Sequence, residues 1–389
     1  MAGPLVGVKV VDFSTALAGP MAAGLIADMG ADVIKIEPPG LGDVVRFVGP
    51  SVGGISAIYQ HANRSKRAIT IDVGTDEGRE LALDFCADAD MVVQNFRPGV
   101  ADRLGIGWEA LRARNPEVIL VAVNGFGSDG PYADRPAYDT VIQAMAGLTH
   151  VEGEDGDARN LRQLASDKIT ALYAANAALA ALAGRERGLG GQLVEVPMLE
   201  ANLHFVWMDG AGNETLEDFL GDQPSSPAST MRPIRCADGW IFPTQVAPKQ
   251  FVGWCAAFGV EVPEEEASIF WRQANPVISR ERNEAVIAAI AETPTAEVVD
   301  RLVAHDVPVG WSLDPADQPD DPHLAARGVF RRDQHPVAGS VVQPRLPMSF
   351  SGTATEPGVF APEHGRDTDE LLAELGRDPG PLREAGIVE

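Results

Sequence analysis

Between Gly7 and about Leu148, short apolar runs alternate with amphipathic helical stretches, and this alternation restricts the fold more than any other feature of the chain. The runs at residues 8–13, 33–36, 68–73, 91–94 and 118–123 are continuously Val- and Ile-rich rather than alternately polar, as in parallel strands covered on both faces. Residues 20–29 and 77–86 read as helices between them. Repeated βαβ units follow, so the expected fold class is α/β with a doubly wound sheet. A helix near Leu199 closes this part, and residues 221–233, rich in Pro, Ser and Gly, read as a junction. Beyond it, residues 231–316 suggest a smaller α/β unit with a strand at 239–244 and helices at 250–258, 280–291 and 295–304. From about residue 322, short strands and turns lead to a helix at 368–375. The expected division is 1–224, 225–320 and 321–389.

At 389 residues the chain exceeds one ordinary domain, and 45% hydrophobic with 22% charged residues supports a packed core rather than disorder. A formal net charge of −25 argues against nucleic acid and anionic membranes, although a local basic cluster still permits a phosphorylated small ligand. The three cysteines, Cys86, Cys236 and Cys255, are scattered without C-x-x-C or metal spacing, which fits a reducing cytoplasm. The N-terminus lacks a basic n-region and passes straight into a strand, so no signal peptide is expected. The longest apolar run, near residues 171–183, is too short to span a bilayer. A soluble cytoplasmic protein is expected.

Motifs exclude more chemistry than they nominate. The turn after the first strand, Ser14 to Pro20, lacks G-x-G-x-x-G, and no P-loop, H-E-x-x-H or G-x-S-x-G occurs, so nicotinamide, P-loop, metal and serine-hydrolase chemistry are disfavoured. What remains is a basic set past strand ends: Lys35, Arg64, Lys66, Arg67, the run Asn95-Phe96-Arg97-Pro98-Gly99, and Arg103. Each alone reads more readily as a solvated charge, but ligands of open α/β sheets bind at strand carboxyl ends, where these residues lie. Residues 164–184 form an Ala-rich helix opened by Asp167, where an ionised carboxylate can cap the helix or attack an electrophile. Capping is the commoner role, and the Ala-rich face equally suits tight helix packing or ligand approach. Gly184 is expected to end this helix, with Arg185 and Arg187 near its negative end, Gly188, Gly190 and Gly191 in the turn, and a strand at 192–196.

Several short motifs occur in an ordered series: Val10-Val11-Asp12-Phe13 with Ala18-Gly19-Pro20, Gly30 through Glu37, Asn63 through Arg67, and Asn95 through Gly99. Gly125-Phe126-Gly127, Gly130-Pro131, Arg135-Pro136-Ala137-Tyr138-Asp139, Gly190-Gly191-Gln192, Asp321 through Leu324, Arg327-Gly328, and the Gly365 to Gly376 region follow. In this order and spacing the chain resembles the family III CoA-transferases, which include formyl-CoA and carnitine CoA-transferases and the related α-methylacyl-CoA racemases. The resemblance implies a Rossmann-like large domain built from both chain ends, a small α/β domain between them, and an interlocked homodimer. It implies an enzyme that moves CoA between an acyl-CoA and a carboxylic acid, with acyl-CoA as substrate, no permanently bound cofactor and no metal. Asp167 corresponds to the family nucleophile, which forms an acyl anhydride and then an aspartyl-CoA thioester. By the same carry-over Ala16, Leu17, Ile71, Asp72, Val73, Gly74, Asn95, Phe96, Arg97 and Arg103 line the CoA site, and Tyr138 and Asp139 lie near the thioester.

Three departures shape that expectation. Tyr138 stands where the racemases carry a histidine base, and a phenol is a poor base near neutrality, so racemisation is disfavoured. Pro38 replaces a phosphate-binding arginine of some transferases, leaving Lys35 or Arg46 as substitutes. Residues 225–260 show no clear counterpart of the Gly-rich loop of oxalate-using members, so oxalate is not the expected acceptor. The alternatives are an acyl-CoA racemase with Asp167 as base, and a non-catalytic CoA-binding protein with Asp167 as a cap.

Overall fold

The computed structural model describes residues 2–153, 157–218, 221, 226, 228, 231–355, 358 and 360–389. The chain divides into two compact units, one formed by Met1–Gly210 with Ala325–Glu389, the other by Ala211–Leu324. Most of the Pro/Ser/Gly-rich junction lies outside the described residues.

In the first unit six strands pair in parallel: β1 (Lys9–Asp12), β2 (Asp32–Glu37), β3 (Arg67–Thr70), β4 (Met91–Gln94), β5 (Ile119–Asn124) and β6 (Leu193–Pro197). Their order is β3-β2-β1-β4-β5-β6, so the winding reverses between β1 and β4. Ligands of open parallel sheets bind beyond the strand carboxyl ends at that reversal. The strand expected at 68–73 stops at Thr70, because Asp72 folds back and accepts the Gly74 amide at 3.0 Å in a tight side-chain turn.

Helices cover both faces. In chain order they are α1 (Ala18–Asp28), α2 (Ala57–Asn63), α3 (Asp76–Cys86), α4 (Val100–Arg103), α5 (Trp108–Arg114), α6 (Asp139–Met145), α7 (Leu148–Val151), α8 (Ala165–Gly184) and α9 (Met198–Gly210). On one face Ala22, Ala23, Ile26 and Ala27 of α1 meet Ala171, Ala174, Ala175 and Ala178 of α8 over Val10, Val93, Val121 and Val123. The small side chains let the two helices approach closely, which gives the Ala-rich stretch a packing role. The opposite face buries Leu81 and Phe85 of α3 and Leu111 of α5 with Leu371, Leu372 and Leu382 from the chain's last helices, Thr368–Glu374 and Pro379–Glu384, and with Ile387 just beyond them. The tail joins the sheet edge through Ala68 and Asp367, whose side-chain and backbone bonds measure 2.8 and 2.9 Å.

Two details of α8 differ from expectation. Gly184 keeps helical angles (φ −65), and the chain winds on through Arg185–Leu189 until Gly188, at φ 88, turns left-handed. Any other residue would strain the backbone at Gly188, whereas the helical angles of Gly184 suit any residue. Asp167 lies inside the first turn of α8 and is not its N-cap, the position held by Leu164.

The second unit carries a three-stranded antiparallel sheet, Val309–Trp311, Trp240–Pro243 and Ile234–Arg235. Helices Pro248–Ala256, Pro276–Ala291 and Thr295–Ala304 pack on it through Phe251, Trp254, Val286, Ile290, Val298 and Leu302. The middle helix starts four residues before the expected 280 because Pro276, with its fixed φ, occupies the first turn.

Candidate active site

Beneath the β1–α1 turn lies a lattice of buried charges. Asp12 pairs with Lys66 at 2.8 Å, Lys35 with Asp43 at 3.3 Å, and Arg46 with Glu37 at 2.6 Å, all withdrawn from solvent. Burial opposes ionisation of Asp12 and Glu37, but the neighbouring cations overcome it. Asp12 is held below the usual carboxylate range by Lys66 and Lys35, and Glu37 falls to about 2 under the Arg46 and Lys35 charges and an Arg46 hydrogen bond. Arg46 also lies over the Tyr59 ring, 3.9 Å from its centroid, and donates to the Pro362 carbonyl at 3.2 Å. Above the lattice, Thr15 and Asn95 exchange two hydrogen bonds of 2.8 and 2.7 Å, which tie the β1–α1 turn to the segment after β4 across the reversal point.

That turn walls a cleft of ≈ 190 Å³ whose lining includes Ala16, Leu17, Asn95, Phe96, Arg97, Arg135, Tyr138 and Asp167. A groove continues from it past Phe96, Arg97 and Pro98 to Arg103. Arg97 and Arg103 are exposed and, among the described residues, take no carboxylate partner. Arg135 is stacked on Tyr132 at 3.8 Å. Gly125, also in the lining, sits where a Cβ would come within 2.5 Å of the Ala137 Cβ, so the two backbones close on each other beside Tyr138.

Asp167 enters the cleft from the first turn of α8. Its backbone N–H donates to Asp139 Oδ2 at 3.0 Å, and Asp139, 3% exposed, also accepts from Gln143. Gln143 further donates to the Gln163 carbonyl at 2.9 Å and accepts the Leu161 amide at 3.2 Å, fixing the approach to α8. The helix N-terminus is therefore capped by a carboxylate from 28 residues earlier, and the Asp167 carboxylate takes no protein hydrogen bond among the described residues. Burial, with the Asp139 charge adding to it, pushes the Asp167 carboxyl up to about 7. An accessible carboxylate with that pKa can act as nucleophile or as proton acceptor.

The structure thus brings Ala16, Leu17, Asn95, Phe96, Arg97, Tyr138 and Asp167 to one cleft, with Arg103 along its groove and Asp139 behind it. It does not bring the Ile71–Gly74 segment there. Ile71 is 1% exposed inside the core, Val73 packs on the same cluster, and Asp72 spends its side chain on Gly74, all beyond edge strand β3, two strands from the reversal. Nor are Lys35 and Arg46 free to replace the contact missing at Pro38, since both are buried in ion pairs. Arg64, Lys66 and Arg67 are likewise bound, to Asp28, Asp12 and Asp32. Sequence reasoning left Thr15, Asn124 and Arg135 out of the site. Arg135 carried a signal, three residues before Tyr138, whereas Asn124 and Thr15 enter only through folding.

Among the described residues, no group of three or more His, Cys, Asp or Glu side chains could hold a metal ion, and no helix is long and apolar enough to cross a membrane. The family model for CoA-transferase family III matches residues 5–368. The succinate–glutarate CoA-transferase of Agrobacterium fabrum is 30% identical over 96% of this chain and 96% of its own. The succinyl-CoA:mesaconate CoA-transferase of Haloarcula marismortui is 31% identical over 98% of each. A crystal structure of a CAIB/BAIF family protein from Brucella suis superposes with a TM-score of 0.81 at 30% identity, covering 96% of this chain and 100% of that one. With its cleft at the sheet reversal and this likeness along nearly its whole length, the chain belongs to the CoA-transferase family III.

Proposed function

We propose that this protein moves CoA between an acyl-CoA and a carboxylic acid, with Asp167 as the nucleophile. The observation that carries the reading is the unbonded Asp167 carboxylate in the cleft, relieved of capping by Asp139. Ionised Asp167 attacks the thioester carbonyl and expels CoA thiolate, leaving an acyl anhydride. The thiolate then attacks the aspartyl carbon, releases the donor acid, and forms an aspartyl-CoA thioester. An acceptor carboxylate displaces the thiolate to give a second anhydride. The thiolate finally attacks its acyl carbon, yielding the new acyl-CoA and free Asp167. No step consumes water, and each exchanges one activated acyl bond for another, so the sequence runs reversibly. Leu17 and Ala18 at the start of α1 bring unpaired backbone N–H groups to the cleft for the developing oxyanions.

Arg97 and Arg103, free of carboxylate partners, take the CoA phosphates, with Phe96 beside the adenine. The Ile71–Gly74 backbone enters the reading only as the far end of an extended ligand. The 3-2-1-4-5-6 strand order supports describing the large unit as Rossmann-like. Exposed Phe205, Trp207 and Met208 on α9, the last 86% exposed, support a homodimer that covers them, which a single-chain mass by light scattering would refute. The dicarboxylates in the names of the two relatives make succinyl-CoA with mesaconate or glutarate the first donor–acceptor pairs to assay.

Asp167→Asn is expected to abolish exchange while CoA still binds, and hydroxylamine added with acyl-CoA is expected to label Asp167 in the wild type. Turnover by the variant would refute the assignment. One observation favours a second reading: a carboxyl at about 7 is poised to accept a proton, as an acyl-CoA racemase requires. Deuterium entering the α position of a branched acyl-CoA in heavy water, with no acceptor acid present, would favour it.

A further inference from the structure

The β1–α1 turn holds a residue in a conformation its side chain resists. Ala16 has φ 63, and only Ser65 and Asp306 share a positive φ with it among the described non-glycine residues. Such strain persists where surrounding contacts over-determine it, and here they are specific. The Ala16 N–H donates to Asp43 Oδ1 at 3.0 Å, Lys35 Nζ donates to the Ser14 carbonyl at 2.7 Å, and Asn95 clamps Thr15. Asp43 is fully buried, does not line the cleft, and faces Lys35 with its second oxygen. Its own backbone N–H is fixed on Glu37 Oε2 at 2.8 Å, and Glu37 is fixed in turn by Arg46. A rigid chain of charges therefore ends on the amide of Ala16, and the next residue, Leu17, opens α1 at the cleft wall.

We propose that Asp43 is a positioning residue for acyl-CoA, which holds the Ala16 turn in its left-handed form and so aims the start of α1 into the cleft. The role rests on reading that cleft as the acyl-CoA site. A charged acceptor suits it because a charge-assisted hydrogen bond in a dry environment is stronger than a neutral one and offsets the strain at Ala16. The same carboxylate accepts the Val45 amide at 3.1 Å, so a merely structural role must be separated from a positioning one.

Calorimetric titration with CoA, paired with kcat and KM for exchange, makes that separation across Asp43→Ala, Asp43→Asn, Ala16→Gly and the double variants. Asp43→Ala strands the Ala16 amide and is expected to weaken CoA binding about tenfold, raising KM more than it lowers kcat. Asp43→Asn keeps an oxygen for the amide and is expected to lose about threefold. Ala16→Gly removes the reason the turn resists its shape, so Ala16→Gly/Asp43→Ala is expected to bind CoA more tightly than Asp43→Ala alone. If Asp43→Ala does not fold, the comparison of Asp43→Asn with Ala16→Gly/Asp43→Asn carries the same coupling. Equal losses on replacing Asp43 with and without the Ala16→Gly change, or unchanged KM in Asp43→Ala, would overturn the proposal. Wild-type protein that binds no CoA refutes the functional reading first, before any variant is compared.

Discussion

Asp167→Asn is expected to stabilise the protein at neutral and alkaline pH even as it removes exchange. The fold raises the Asp167 carboxyl from 3.8 to about 7, by burial first and by the Asp139 charge second. A carboxyl with a raised pKa favours folding only while protonated. Its full benefit is present below the unfolded value, and stability falls as pH climbs from about 4 through 7. At about 1.36 kcal/mol per tenfold change, the displacement sets a ceiling of about 4 kcal/mol for ionising Asp167 in place. Water in the open cleft screens the charge and reduces this to about 1–2 kcal/mol. An amide of the same shape carries no such penalty. The variant and the wild type should therefore melt together at about pH 3.5, below the unfolded value, and draw apart as pH rises to reach about 2–4 °C at pH 8.5, the variant higher. Scanning calorimetry from about pH 3.5 to 9 measures the separation. A constant offset across that range, or no offset, would refute the link between Asp139, burial and Asp167. Asp139→Asn should shrink the separation while keeping an oxygen for the Asp167 amide.

Two further outcomes follow from the same geometry. Arg97→Ala and Arg103→Ala should each raise KM for acyl-CoA about tenfold with little change in kcat, and high salt should weaken wild-type CoA binding toward the variants; an unchanged KM for both would show that the groove does not hold phosphate. Glu37→Gln leaves the buried Arg46 guanidinium opposite a neutral amide and should cost about 3–5 kcal/mol in urea unfolding at pH 7. Because Glu37 titrates at about 2 in the fold, its contribution is intact above about 4.5 and fades as pH falls toward 2, so the difference between variant and wild type should fade with it.

The parallel strands were legible because burial on both faces leaves an unbroken Val/Ile signature, which residues 91–94 match without adjustment. Legibility failed where an assignment depended on partners distant in sequence. Asp167 looked like a cap because its position next to a helix start is a local fact, whereas the actual cap arrives from Asp139 through the fold. Lys35, Arg46 and Arg64 looked like ligand contacts because a cation before a turn reads the same in sequence whether it faces water or a buried carboxylate. Gly184 read as the helix stop and Gly188 as part of the following turn, and only the backbone angles show that the left-handed turn falls at Gly188. Asn95 and Arg97 stood out as a polar, basic turn past a strand end, whereas Ala16 and Tyr138 were identified only through the family resemblance, since no local pattern marks them.

The tail from Ala325 onward completes the core under the second face of the sheet, after an intervening unit of more than a hundred residues. That arrangement imposes a waiting time on synthesis. When β5 has left the ribosome, Leu81, Phe85 and Leu111 still lack Leu371, Leu372 and Leu382, and roughly 10–50 s of elongation separate the two sets. During that interval the α3–α5 face of the sheet is an apolar surface without its cover, and edge strand β3 lacks the Asp367 bonds that occupy its backbone. Closing so distant a contact also slows refolding of the released chain. The nascent large unit is thus a natural client for chaperones until its last helices emerge.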